Sequence, residues 1–476
     1  MSVISALLNC EKIYNFSDAF GVKDITTREM KTAIKLWLEM YFDHESDGLD
    51  DCQRLPVLVV NKLIKTTFSE YETSTKNAFA ERVLGELEEI RCEAFQQALI
   101  SGECLIKPVP TADGFYFVPI RRDCFIPLAR NELNKLTSVG TAETTIEDGK
   151  YYTLLERRTA GQALTIETKL FRSSDSNTLG VEVPLDTLEK YANLEPVAVL
   201  PVDGIGLVSL KTPLYNTVDG SADGVAIYAP AAQLIARINR NEWQLSREFE
   251  LGRARIMVPE DLTRQKPGEN GNTKTRSLED DIFTAFDEDP QDFGVTIFSP
   301  AFREQSYLTR KTEYLRNIES LIGFKRGILS DVQEAERTAT EITSSDGDYN
   351  LTIIDMQGIW TKTVKKLLEL CSELGALYHI GGYAPIDPDE VTLDYGDGVL
   401  YNRDKTWNEY CAMVQMGLIK PEIAVAWYFE LPWDTPEAIQ NIRDNYMPEL
   451  ESMTAGDEEL CCRRKALTRC ESLLHR

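Results

Sequence analysis

Three adjacent apolar pairs, Tyr307-Leu308, Tyr314-Leu315 and Leu321-Ile322, recur at seven-residue intervals between Pro300 and Gly323. A seven-residue repeat keeps one side of a helix apolar along its length, so this segment requires a second helix beside it. A partner stands upstream. From Tyr228 to Leu251, Ala231, Leu234, Ile235, Ile238, Leu245 and Phe249 recur near helical spacing, with Pro230 suited to the first turn and Gly252 to the stop. Such a rod is roughly 36 Å long. The two helices form a strut.

Between them RARIMV, closed by Pro259, and GVTIF, closed by Ser299-Pro300, read as short strands that pair. The link joining these strands is long, polar and acidic, and a compact core does not need it. Ser299 as N-cap and Pro300 at the first helical position predict where the second helix starts. Beyond Gly323 a third helix opens at Thr338-Ala339-Thr340-Glu341, a capping box in which the Thr338 hydroxyl and the Glu341 carboxylate each satisfy a backbone donor. Trp360, Val364, Leu367, Leu368, Cys371 and Leu374 give it one apolar face. Ser344 to Asp348 is a poor helix interior and predicts a kink or break.

Before Tyr228 the chain is mixed. Amphipathic helices are expected in TTREMKTAIKLWLEMYF, PVLVVNKLIKTTFSEY and NAFAERVLGELEEIRCEAFQQALI. At Ser101-Gly102 the pattern changes to period two, and ECLIKPV, GFYFVPI, GKYYTLLERR and ALTIETKLF predict an antiparallel meander. After Leu374, VTLDY reads as one strand, followed by short helices in DKTWNEYCAMVQMG, KPEIAVAWYF and a segment starting at Thr435-Pro436. The fold class expected is α+β.

The formal net charge is −26, which argues against holding nucleic acid by phosphate neutralisation. No window approaches an apolar span of membrane length, and the N-terminus lacks the pattern of a signal peptide, so assembly in a cytoplasm is expected. The ten cysteines show no CxxC pair, and His44, His379 and His475 have no second histidine at ligand spacing. GxSxG, P-loop, HExxH and EF-hand signatures are absent, so neither a catalytic residue, a cofactor nor a metal is expected. Asp280-Asp281, Asp287-Glu288-Asp289 and Asp387-Asp389-Glu390 offer carboxylates to a hard cation. They carry the competing reading of a metal-dependent intracellular hydrolase or nuclease; another ring-forming virion scaffold protein is a further alternative.

Several stretches together resemble the portal proteins of long-tailed bacteriophages, the head-to-tail connector family. They are SGECLIKPV, RRDCFIPLA, GVAIYAPAAQLIARINRNEWQLSREFELGRARIMVP, YLRNIESLIGFKRGILSD, ERTATEITSSDGDYNLT and MGLIKPEIAVAWYF, in that order over roughly residues 78–446. The resemblance implies a wing over 1–227, stem helices at 228–252 and 300–326, a clip at 253–299 and a tunnel loop at 327–340. It also implies a long kinked helix with a return strand to the wing at 341–402, and a helical crown and tail at 403–476. It further implies a homo-oligomeric ring, a dodecamer, at one capsid vertex of the virion, through which double-stranded DNA is packaged and ejected. The partners implied are the terminase large subunit, the major capsid and scaffolding proteins and a head-completion adaptor, with no membrane. In that arrangement Asp331, Gln333, Glu334, Glu336 and Arg337 of the tunnel loop meet the DNA. An acidic wall that repels phosphate keeps DNA mobile.

Overall fold

The computed structural model describes residues 16–42, 53–175, 178–251, 255–259, 283–286, 296–298, 303–330, 339–396, 403–429, 431–433 and 435–447. The chain divides into two compact units, Met1–Val399 and Leu400–Arg476.

The described residues of the first unit start with helices α1 (Phe16–Phe20), α2 (Arg28–Phe42) and α3 (Leu55–Thr67), strand β1 (Glu72–Ser74) and the long helix α4 (Ala78–Ser101). Asn77 starts α4 by accepting the backbone N–H groups of Phe79 and Ala80 at 2.9 and 3.3 Å. Gly102 ends it at φ 88°, and a Cβ there would lie 2.3 Å from the carbonyl carbon of Gly224. Only glycine permits that approach, which brings the chain before the strut against the end of α4.

The period-two region forms two antiparallel sheets rather than one meander. In the first, β2 (Glu103–Pro110) lies between β3 (Phe115–Arg121) and β10 (Val208–Lys211). The second runs β4 (Phe125–Arg130), β5 (Leu136–Glu147), β6 (Lys150–Thr159), β7 (Leu164–Ser173), β8 (Val181–Val183), with β9 (Val197–Leu200) also on β7. Asp148 and Gly149, both at positive φ, make the two-residue turn between β5 and β6.

A charge triad around the buried Glu156 carboxylate joins the two sheets. Lys107 of β2 reaches Glu156 of β6 at 2.7 Å, and Arg158 grips the other carboxylate oxygen while donating to the Gly206 carbonyl at 3.2 Å. Burial alone raises the Glu156 pKa, but Arg158 and Lys107 outweigh it and bring it down to about 2 from 4.5. A depressed carboxylate contributes stability above its unfolded pKa and loses it as pH falls through the folded value. Chemical denaturation between about pH 4.5 and 2 is therefore expected to lose on the order of 2–3 kcal/mol that Glu156→Gln does not lose over the same window. Equal pH slopes in both proteins would refute this.

The strut helix α5 (Ala232–Leu251) follows a 3₁₀ turn at Ala229–Ala231. Strands β11 (Arg255–Pro259) and β13 (Thr296–Phe298) pair antiparallel, with Ile256 opposite Ile297. The link between them contains a third strand, β12 (Phe283–Phe286), parallel to β11, where the composition reads as polar linker.

Helix α6 (Glu304–Ile322) follows, then α7 (Ala339–Leu377) and strand β14 (Thr392–Asp394), which pairs antiparallel with β1. The interruption expected at Ser344–Asp348 does not break α7, which is helical for 39 residues. Gly347 costs about 1 kcal/mol against alanine, but each residue in a long helix also adds a backbone bond, and a broken nucleus costs more to re-form. The face of α7 from Trp360 to Leu374 is buried as its spacing requires. The second unit contains α8 (Arg403–Gln415), α9 (Pro421–Tyr428) and α10 (Pro436–Tyr446). The Thr435 hydroxyl oxygen accepts the Ala438 N–H at 3.2 Å and caps α10.

Candidate functional site

The strut is built from α5 and α6, and its apolar contact centres on the strip between the two columns of the seven-residue repeat and takes in the column members beside that strip. Adjacent residues project about 100° apart around a helix, so 307/314/321 and 308/315/322 form two columns with Ile318 between them. Ile318 is completely buried, Ile322 is buried, and Tyr314 and Leu315 pack against the same core as Ile235 and Ile238 of α5. The outer members stay uncovered in the single chain: Leu308 is 41% exposed and Leu321 49%. Of the seam expected from both columns, Tyr314, Leu315 and Ile322 join the contact within the chain, and Leu308 and Leu321 do not. Tyr307 is half-buried, and its carbonyl accepts from the amide of buried Asn241 at 3.2 Å.

Polar ties fix the register. Lys311 pairs with Glu242 at 3.2 Å. Arg303 forks onto Glu248, with Nε at 3.1 Å and Nη2 at 3.0 Å, and its backbone N–H donates to the same carboxylate at 3.1 Å. Hydrogen bonding from Arg303 holds the Glu248 pKa at about 2. This grip holds Arg303, at φ −96° and ψ 27°, as the non-helical residue before α6. Ser299 and Pro300 lie outside the described residues. Of the other cations on α6, Arg316 pairs with Glu313 at 2.9 Å and Arg310 donates to the Tyr314 hydroxyl at 3.0 Å.

At its far end α6 stops at Gly323, φ 79°, whose carbonyl accepts from Thr352 of α7 at 3.2 Å. Asp331, Gln333, Glu334, Glu336, Arg337 and Thr338 lie outside the described residues, as does the side chain of Glu341, and α7 opens at the residue after Thr338. The carboxylates Asp280-Asp281 and Asp287-Glu288-Asp289 also fall outside them. Asp389 pairs with Lys365 at 2.7 Å, and Asp387 accepts the Asp389 N–H at 3.0 Å, so these two carboxylates serve a turn.

The contacts that hold the strut were partly hidden in the sequence. Ile318 was available from the helical wheel, as the position midway between the two columns. Glu248 and Arg303 are 55 residues apart and carry no local signal for their pairing.

The described residues of the first unit thus combine mostly antiparallel sheets, a paired-helix strut and a long helix, an α+β fold. Residues 84–445 match a family of phage portal proteins, the SPP1 Gp6-like family. The chain belongs to that family, and the resemblance and the α+β class are borne out. Its role is that of a portal or connector, a structural component of the virion. Among solved structures, a chain from the "neck of native GTA particle computed with C12 symmetry" aligns at 11% identity and TM-score 0.42, covering 85% of this chain and 94% of that one. No curated protein matches.

Proposed function

We propose that the chain assembles into a ring, a dodecamer, at one vertex of the capsid. Through it double-stranded DNA is packaged and ejected, and on it the terminase large subunit and a head-completion adaptor dock. In this reading 1–227 is the wing, facing the major capsid and scaffolding proteins; the stem is 228–252 with 300–326, the clip 253–299, the tunnel loop 327–340 and the crown 403–476. The observation that carries it, beside family membership, is the strut. A closed ring needs two different contact surfaces on each subunit, and Leu308 and Leu321 offer apolar side chains on opposite flanks of α6. The net charge of −26 keeps phosphate from adhering to the wall.

Electron microscopy of the purified chain tests the ring: closed particles with a central channel are expected, and a compact monomer at micromolar concentration overturns the reading. The channel is tested by Glu334→Lys combined with Glu336→Lys. Added cations raise phosphate affinity in a salt-dependent way, so rings form normally but DNA packaged per particle falls at low salt and recovers as salt rises. Wild-type packaging at low salt, where attraction is least screened, removes these residues from the DNA path.

A further inference from the structure

Glu319 sits in the last turn of α6, completely buried, and no lysine or arginine lies within salt-bridge distance of it among the described residues. That placement is unfavourable twice over. A carboxylate without a cation is costly to bury, and negative charge opposes the helix dipole at a C-terminus. Helix termination does not require it either. The backbone carbonyl of Glu319 already accepts from Gly323 N and, at 2.7 Å, from Phe324 N, a Schellman-type closure complete without any side chain.

The side chain is used further along. Its Oε1 accepts the N–H groups of Gly327, Leu329 and Ser330 at 3.0, 2.6 and 2.9 Å, and its Oε2 accepts from the Ser330 hydroxyl at 2.9 Å. Three backbone donors converging on one oxygen make the kind of concavity that binds anions, and here the chain fills it with its own carboxylate. Residues 327–330 are thereby wrapped around the end of α6. A second tie lies beside it: a Cβ on Gly323 would come 2.3 Å from Thr352 Oγ1, so α7 closes against the same junction.

We propose that Glu319 is a positioning residue of the DNA channel: a buried carboxylate latch that fixes where, and in which direction, the chain runs on from Ser330 after leaving α6. An apolar residue of similar size would pack there at less cost. The carboxylate specifies one conformation of 327–330 where an apolar contact would allow several. The inference rests on the portal reading for its functional half, because only there does the exit point of α6 face passing DNA.

The test uses the full chain with Glu319→Ala, Glu319→Gln and Ser330→Ala, reading amide exchange, ring formation and DNA packaged per particle. In Glu319→Ala, exchange at Gly327, Leu329 and Ser330 is expected to accelerate about tenfold or more, the equivalent of one charge-assisted bond. Amides in the middle of α6 and the melting of the ring stay as in the wild type, while packaging falls severalfold. Glu319→Gln keeps an acceptor without its charge and falls between the two. Ser330→Ala removes one bond only, and a small change in the same direction is expected even if Glu319→Ala fails to fold. Unchanged exchange in Glu319→Ala overturns the latch. Faster exchange with unchanged packaging overturns the positioning role. A wild-type chain that forms no ring sinks the portal reading instead, and leaves the exchange result standing by itself.

Discussion

Trp360→Ala is expected to cost the first unit about 3–5 kcal/mol of unfolding free energy, the range for deleting a large buried aromatic side chain. Trp360 is 1% exposed on α7 and meets the rings of Phe68 and Phe95 edge-on, with centroids 5.7 and 6.3 Å away. Phe68 and Phe95 pack on each other at 4.9 Å, and Arg91 lies over both Phe68 and Tyr71. The indole is therefore the piece of α7 that enters an aromatic cluster made by the N-terminal helices. Its Nε1–H also donates to the Tyr71 hydroxyl at 3.2 Å. Truncation leaves a void among rings that cannot close up, because each is held by another. Trp360→Phe separates the two effects: it keeps most of the packing and loses the hydrogen bond, at about 1 kcal/mol. Urea denaturation followed by circular dichroism measures both, and a loss under about 1 kcal/mol for Trp360→Ala would place the cluster outside the stability of the fold.

The elements that could be read from sequence are those whose signal is local. Pro230, the Thr435-Pro436 start and the Asp148-Gly149 turn each act within a few residues, and the α7 face from Trp360 to Leu374 follows from period alone. What could not be read depends on contacts far along the chain. Strand β5, rich in Thr and with few large apolar residues, is a strand because β4 and β6 flank it. Strand β12 is FTAF inside an acidic linker, and its pairing with β11 carries no local signal. The grip of Glu248 on Arg303, the residue before α6, joins two helices and has no local signal. Glu319 reads as an ordinary polar helix residue until the backbone of 327–330 folds over it. The seven-residue repeat calls for a partner helix, and of the columns it names Tyr314, Leu315 and Ile322 join the intrachain contact while Leu308 and Leu321 stay exposed.

That geometry leads to the second large effect. Leu308→Asp and Leu321→Asp, made separately, are each expected to leave a monomer that melts close to the wild type while abolishing the ring. The protomer is spared because each side chain is already substantially exposed, so a carboxylate there keeps its water. The ring is not spared. The two leucines are thirteen residues apart, which places them about 140° apart around α6, on the two flanks that the contact with α5 leaves open. In a heterologous ring one flank of each strut meets the opposite flank of the next. A carboxylate on either flank is then buried at every interface around the circle, and a cost of even 1–3 kcal/mol per contact is repeated at each of them. Sedimentation velocity distinguishes the outcomes: a folded monomer from both variants fits the strut as a ring-lining element, whereas normal rings from both would show that α6 meets its neighbours through some other face.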